Sequence, residues 1–360
     1  MDRHRFLDTD VAPGSRAIVR LPITTRLDGS MLTVPIHVVR GANDGPTLLV
    51  VSALHGSEWF SVEVVRQVVT TVDPAELSGT LIAIPVANPM AFERFTRMTP
   101  DESDEPDLNR VWPGGATWIT EQIAAVLDRE VLARTEYLID LHTGPWGTSL
   151  AGISYSRDLP DPSVNQRSLE MAVAFGYPVI RALDAMSVFP GPRSITAYAG
   201  SARGIPSIGP NLGGAGFAPE AEAGWRDGNI AGTLGVMRHL GMLPGDPDLA
   251  TRYFHFATRG IRVVPRHGGM LRPVAGAEAL GGPVAKGQRL GTIISPYTFD
   301  VLEELVAPVD GILFGIGRDY PVRPGDWCYF VADASEPTSR WVDSDADVAG
   351  TARLIAGYGP

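Results

Sequence analysis

The chain has almost no cysteine and almost no lysine. Cys328 is the single cysteine in 360 residues, so no intramolecular disulfide can form and no metal site can be a thiolate cluster. It sits in the apolar, strand-like run from Trp327 to Val331, where a core position is expected. Lys286 is the one lysine among 30 basic residues, a bias that reads as genomic base composition rather than function. No run of about 18 apolar residues suggests a membrane span, and the first residues, Met-Asp-Arg-His-Arg, lack the apolar h-region of a signal peptide. Positive charge is also short. A formal net charge of −11 argues against nucleic acid or an anionic membrane as partner. It does not forbid an anionic substrate, because local arginines can reverse the field inside a cleft. A cytoplasmic location fits these absences.

What is present is ordinary globular composition, 44% hydrophobic and 20% charged, in a chain long enough for a large core and more than one domain. Residues 15–40 alternate apolar and polar around an Asp28-Gly29 turn, the pattern of a β-hairpin. Residues 47–54 form a continuous apolar run, as expected of a strand buried on both faces. A helical stretch over 58–72 follows, then a second buried strand over 80–86 and a polar loop over 88–115. Residues 119–132 have helical periodicity and lead into a strand over 136–141. Strands alternating with helices predict an α/β fold, a mostly parallel or mixed sheet covered by helices on both faces. Residues 163–175 and 227–240 read as helices, and 204–216 as a glycine-rich loop after a strand. Beyond a linker-like stretch at 241–248, glycine and proline recur among short β-rich runs. The expected domains are 1–248, a β-rich C-terminal domain at 249–335, and a tail at 336–360.

Three motifs carry chemistry. His55-Gly-Ser-Glu58 and Asp140-Leu-His142-Thr-Gly offer two imidazoles and a carboxylate, and His55 and His142 each follow the C-terminal end of a predicted strand, where open α/β sheets bind ligands. Such a set leaves a fourth position open on a zinc ion, which would acidify its water and polarise a carbonyl. Asp140, two residues before His142 on an extended strand, shares a face with it and is suited to hold the second imidazole nitrogen. Between them, Asp107-Leu-Asn109-Arg110 supplies a planar guanidinium that matches a carboxylate bidentately, with Asn109 as a further donor. The same motif could instead start a helix with Asp107 as cap. Upstream, Arg97 is suited to stabilise an oxyanion, with Arg94 a competing choice. Trp59, Trp146 and Tyr198 could line a partly aromatic pocket, or simply pack.

These motifs resemble the succinylglutamate desuccinylase/aspartoacylase family, a branch of the zinc-carboxypeptidase-like fold, over residues 15–243. The β-rich region over 255–332 is similar to the extra domain of many bacterial members. The resemblance implies one zinc per chain held by His55, Glu58 and His142, a substrate carboxylate bound by Asn109 and Arg110, and a scissile carbonyl polarised by Arg97. It implies a zinc-dependent hydrolase of an amide bond in a small carboxylate-bearing substrate, with zinc-bound water attacking the carbonyl. One position departs from the family. Its usual Thr-x-Glu-x-Gly segment, whose glutamate is the general base, corresponds here to residues 205–213, with Asn211 in place of the glutamate. Asparagine cannot take a proton, and such help is worth on the order of 10²–10⁴ in rate. Glu220 or Glu222 downstream could reach back into the site. Alternatively the chain binds metal without hydrolysis, or hydrolyses esters or cyclic amides, or acts as a lyase. The C-terminal pattern also resembles lipoyl and biotinyl modules, but the hairpin at 295–300 has no lysine, so a structural or oligomerisation role, including a homodimer, is expected instead.

Overall fold

In the computed structural model, residues 5–100, 103–144, 147–184 and 193–344 are described. A short ribbon of β1 (Arg5–Phe6) and β2 (Thr9–Asp10) precedes the expected hairpin, β3 (Ser15–Thr25) and β4 (Met31–Arg40). Along β4, Leu32, Val34, Ile36 and Val38 are buried at every second position, as one inward face of a strand requires. The apolar run that follows is β5 (Asn43–Ser52), which pairs in parallel with β6 (Ser78–Ile84) across the connecting helix α1 (Phe60–Thr71). The polar region beyond contains α2 (Pro89–Arg94) and a 3-10 turn, Leu108–Arg110. Then α3 (Ile119–Glu130) leads into β7 (Tyr137–Leu141), which lies parallel to β5 on its other side.

The second half of the core is β8 (Thr148–Arg157), α4 (Pro162–Ala174), β9 (Val179–Asp184), α5 (Ile195–Arg203), β10 (Ser207–Gly213) and α6 (Pro219–His239). Two elements differ from expectation. The glycine-rich segment is not a loop: β10 is a central strand, parallel to β7 and antiparallel to β8. Its glycines and Pro210 mask a segment whose strand state is imposed by two neighbours rather than by propensity. Helix α6 begins at Pro219 instead of Asp227, with Pro219 at the first turn and Glu220 and Glu222 favoured by the helix dipole there.

Ten short strands follow: β11 (Arg252–Phe256), β12 (Ile261–Val263), β13 (Gly269–Pro273), β14 (Pro283–Val284), β15 (Arg289–Ile294), β16 (Val301–Val306), β17 (Gly311–Gly317), β18 (Tyr320–Val322), β19 (Tyr329–Asp333) and β20 (Arg340–Asp343). Four of them form a small antiparallel sheet in the order β16-β15-β13-β18. The others extend the main sheet, 14-stranded among the described residues, whose central path runs β12-β19-β17-β8-β10-β7-β5-β6-β4-β3. The β-rich region from 249 onward is therefore stitched into the same sheet as the α/β core, because β17 pairs with one end of β8 while β9, carrying β11, pairs with the other.

Two apolar layers cover the main sheet. On one face Val64, Val68, Leu169, Phe175 and Val236 from α1, the α4 region and α6 pack on Leu48, Val50, Ile139 and Leu141. On the other, Ile123 and Leu127 of α3 and Ile195 and Ala199 of α5 pack on Leu49, Val51 and Leu138. Cys328 is fully buried in a third cluster with Leu271, Leu290 and Tyr329, and this burial pushes its thiol pKa up to about 12. No helix among the described residues is long and apolar enough to cross a membrane.

Candidate active site

Parallel pairing sets Ser52 of β5 beside Leu141 of β7, so the chain leaves both strands at one edge and His55 and His142 emerge as neighbours. Their ring centroids are 5.0 Å apart. Glu58 is folded back onto His55 by a tight turn in which its amide donates to the His55 carbonyl. Gly56 makes this turn possible: a β-carbon there would lie 2.0 Å from the Ala91 backbone of α2. His55 Nδ1 lies 2.7 Å from Glu58 Oε1, and His142 Nδ1 lies 2.7 Å from Glu58 Oε2. One ligand atom from each of the three residues falls within 4.8 Å of the others, and all three are buried or nearly so.

The far side of each ring is held as well. His142 Nε2 lies 2.8 Å from Asp140 Oδ2, and His55 Nε2 lies 3.0 Å from Asp107 Oδ1. A carboxylate behind each imidazole fixes its tautomer and aims the other nitrogen, the arrangement found around metal-ligating histidines. Asp107 does both things its motif allowed, since the same Oδ1 accepts the Asn109 amide and caps the 3-10 turn. Its role behind His55 was not anticipated, although it stands inside the motif already singled out.

Glu58, Asp107 and Asp140 surround two imidazoles, and the guanidinium in contact with them is that of Arg97, 3.1 Å from Glu58 Oε1 and 3.5 Å from Asp107 Oδ2. Burial opposes the charge on Glu58, but the two histidines hold its pKa well below the ordinary value. Burial likewise opposes protonation of His142, yet Asp140 and Glu58 raise its pKa to about 10. Two imidazole nitrogens and a carboxylate oxygen within reach of one another are a donor set that fits a divalent ion.

The loop bearing Arg97 and Asp107 is anchored by a buried polar network. Asn88 Nδ2 donates to Thr99 Oγ1, the Thr99 and Thr120 hydroxyl oxygens lie 2.6 Å apart, and the Asp104 carboxylate accepts both the amide and the hydroxyl of Thr120. Asn109 is buried, with Nδ2 3.0 Å from His142 Nε2 and Oδ1 accepting the Ile195 amide at the start of α5. Arg110 is half-buried and donates to the Asn109 carbonyl. Arg94 is exposed on α2.

Asn211 lies on β10 directly beside His142, the two residues forming an isolated parallel bridge. Its Nδ2 donates to the Gly209 carbonyl. Glu222 is not brought to the ligand set: its Oε1 accepts the amides of Gly216 and Phe217, each at 2.7 Å, and so ties down the loop before α6. Glu220 is exposed.

Next to the ligands opens a cavity of about 340 Å³. Ser57 and Thr143, each adjacent in sequence to a ligand, line it together with Trp59, Phe95, Gly216 and Arg318. Phe95 and Arg318 were not anticipated from the sequence. Tyr198 packs instead beside Arg203 on α5, and Trp146 lies outside the described residues.

Comparison with known proteins agrees with this geometry. Residues 44–222 match the model of the succinylglutamate desuccinylase/aspartoacylase catalytic domain. The chain is 27% identical over 334 residues to the N-alpha-acetyl-L-2,4-diaminobutyric acid deacetylase of Halomonas elongata, covering 88% of this chain and 91% of that one. Among solved structures, a succinylglutamate desuccinylase/aspartoacylase from Rhodobacter sphaeroides is 26% identical with a TM-score of 0.74, over 92% of this chain and 99% of that one. The product-bound ectoine utilization protein EutE (DoeB) from Ruegeria pomeroyi has the same fold at 23% identity and a TM-score of 0.74, over 88% and 94% of the two chains.

Proposed function

We propose that this chain, which belongs to the succinylglutamate desuccinylase/aspartoacylase family, is a zinc-dependent hydrolase of the amide bond in a small N-acyl amino acid. The observation that carries the reading is the convergence of His55, Glu58 and His142, each imidazole backed by a carboxylate, beside a cavity of substrate size. His55 and His142 through Nδ1, with the Glu58 carboxylate, would hold the ion. When bound, zinc supplies Lewis acidity that polarises a carbonyl and makes water more acidic.

The chain's own residues divide the remaining work. Asp107 and Asp140 keep the two rings oriented through their Nε2 atoms. Arg97 reaches the ligand set from the loop and is suited to steady negative charge developing on the carbonyl oxygen. Arg110 is suited to take a substrate carboxylate, while Asn109 turns Nδ2 toward Asp140 Oδ2. Asn211 can accept a hydrogen bond at Oδ1 but cannot remove a proton, so acid–base help from this position is missing.

That missing base favours one second reading, a metal-binding protein whose hydrolytic step is lost. Zinc analysis, a screen of N-acetyl and bulkier N-acyl amino acids, and the Asn211→Glu variant separate the two. Zinc near one per chain with turnover by the wild type is the expected result. A silent wild type beside an active Asn211→Glu variant would establish the second reading.

A further inference from the structure

The cavity beside the ligands contains a cation from the far end of the sequence. Arg318 follows β17, and its amide donates to the Gly147 carbonyl at 2.7 Å, which pins the β17–β18 turn against the loop after His142. Arg318 lines the cavity together with Ser57 and Thr143. No carboxylate among the described residues pairs with it, and its Nε is buried without a hydrogen-bond partner. Arg97, in contrast, is already engaged with Glu58 and Asp107. A half-buried guanidinium with no anion beside it is free to pair with a carboxylate that enters the cavity.

The surroundings are shaped to admit this side chain. A β-carbon at Gly216 would lie 1.7 Å from Arg318 Nη1, and Gly216 has φ +85°, so no other residue is readily accommodated there. Glu222, by accepting the Gly216 and Phe217 amides, holds that loop in place. Trp59 and Phe95, both large and exposed, form an apolar part of the same cavity. A carboxylate entering the cavity would give the guanidinium the anion it lacks.

We propose that Arg318 is a substrate-binding residue: lining the cavity as Arg110 does not, it takes the free carboxylate of an N-acyl amino acid whose apolar part lies against Trp59 and Phe95. This rests on the hydrolase reading above and adds to it a specificity contact supplied by the C-terminal β region. The test compares N-acyl amino acids bearing an apolar acyl group or side chain with their carboxamides, using zinc-loaded wild type, Arg318→Met, Arg318→Lys and Gly216→Ala. Wild type is expected to prefer the acid. Arg318→Met should raise KM for the acid about 10–100-fold, the loss of a charge-assisted pair, with little change in kcat and little effect on the amide. Arg318→Lys should recover part of the loss. Gly216→Ala, which keeps the arginine but fills its cradle, should move KM in the same direction. Melting curves check that the variants remain folded.

Calorimetric binding of the same compounds separates the two ideas. If wild type turns over none of them, the hydrolase reading fails, yet tighter binding of acid than amide that is lost in Arg318→Met still supports the arginine's role. An unchanged preference for the acid in folded Arg318→Met overturns it, as does binding that is equal for acid and amide or absent for both.

Discussion

At the scale of single residues, the site is defined by what stands behind its ligands. Asp107 and Asp140 each press on an imidazole nitrogen that faces away from Glu58. Asp140→Asn and Asp107→Asn should each weaken metal affinity about 10–100-fold, measured by competition with a chromogenic chelator. An unaltered affinity would remove both from the metal site. Glu58, His55 and His142 were legible because a histidine and a glutamate three residues apart, joined to a histidine at a second strand end, form a chemically specific pattern. Asp107 was legible only as a cap, since nothing in its sequence neighbourhood says that the loop returns to His55. Arg318 was not legible at all, because a lone arginine in a β-rich region carries no signal until the fold brings it beside Thr143.

At the scale of elements, a buried polar network ties Thr99 and Asp104 to the first turn of α3. The Thr120 hydroxyl joins Thr99 and Asp104, and through Thr99 reaches Asn88. Thr120→Val should cost about 1–3 kcal/mol of stability by leaving partners unsatisfied, and should also lower kcat/KM by loosening Arg97. Chemical denaturation and steady-state kinetics read the two effects. Gly56→Ala should destabilise more directly, by forcing a β-carbon into the backbone of α2; a melting temperature equal to wild type would contradict the close approach. The hairpin β3–β4, strands β5 to β7 and their helices were readable from periodicity alone. β10 was not, because Gly209, Pro210 and Gly213 imitate a loop, and a strand held by two neighbours does not need strong local preference. Periodicity marked α6 only from Asp227, since Gly224 and Gly228 interrupt its helical pattern, although Glu220 reads as a residue of a helix N-terminus.

At the scale of the molecule, β8 is the seam. It pairs with β10 along one edge and with both β17 and β9 along the other, so removing everything after residue 248 would strip part of that edge of its partner. The fragment 1–248 is expected to lack a cooperative thermal transition by circular dichroism. A cooperative melt would mean that the α/β core stands without the C-terminal strands. Which distant strands meet at this seam could not be read from the sequence, because pairing partners far apart in the chain leave no local pattern. His255 on β11 adds a dependence on pH. Buried, with Tyr155 Oη 3.2 Å from its Nε2, it has a pKa driven down to about 3 by burial and by Arg340 and Arg157. Its folded pKa lies below the unfolded value of 6.5, so below pH 6.5 the unfolded chain binds the extra proton. Its contribution to stability is full above that pH and is lost as pH falls toward 3, by up to about 1.4 kcal/mol per pH unit. Urea unfolding at pH 7 and pH 5 should show a smaller difference in His255→Gln than in wild type, and equal differences would exclude the histidine as the source. The seam also bears on synthesis. Each proposed metal ligand, and the carboxylate behind each ring, has left the ribosome once His142 emerges, but the strand that covers Thr148–Leu150 and the arginine that follows it are made much later. The nascent chain thus acquires its candidate metal-binding groups before the cavity beside them is closed by Gly216 and Arg318, and for that interval carries an uncovered strand edge that invites pairing with other chains.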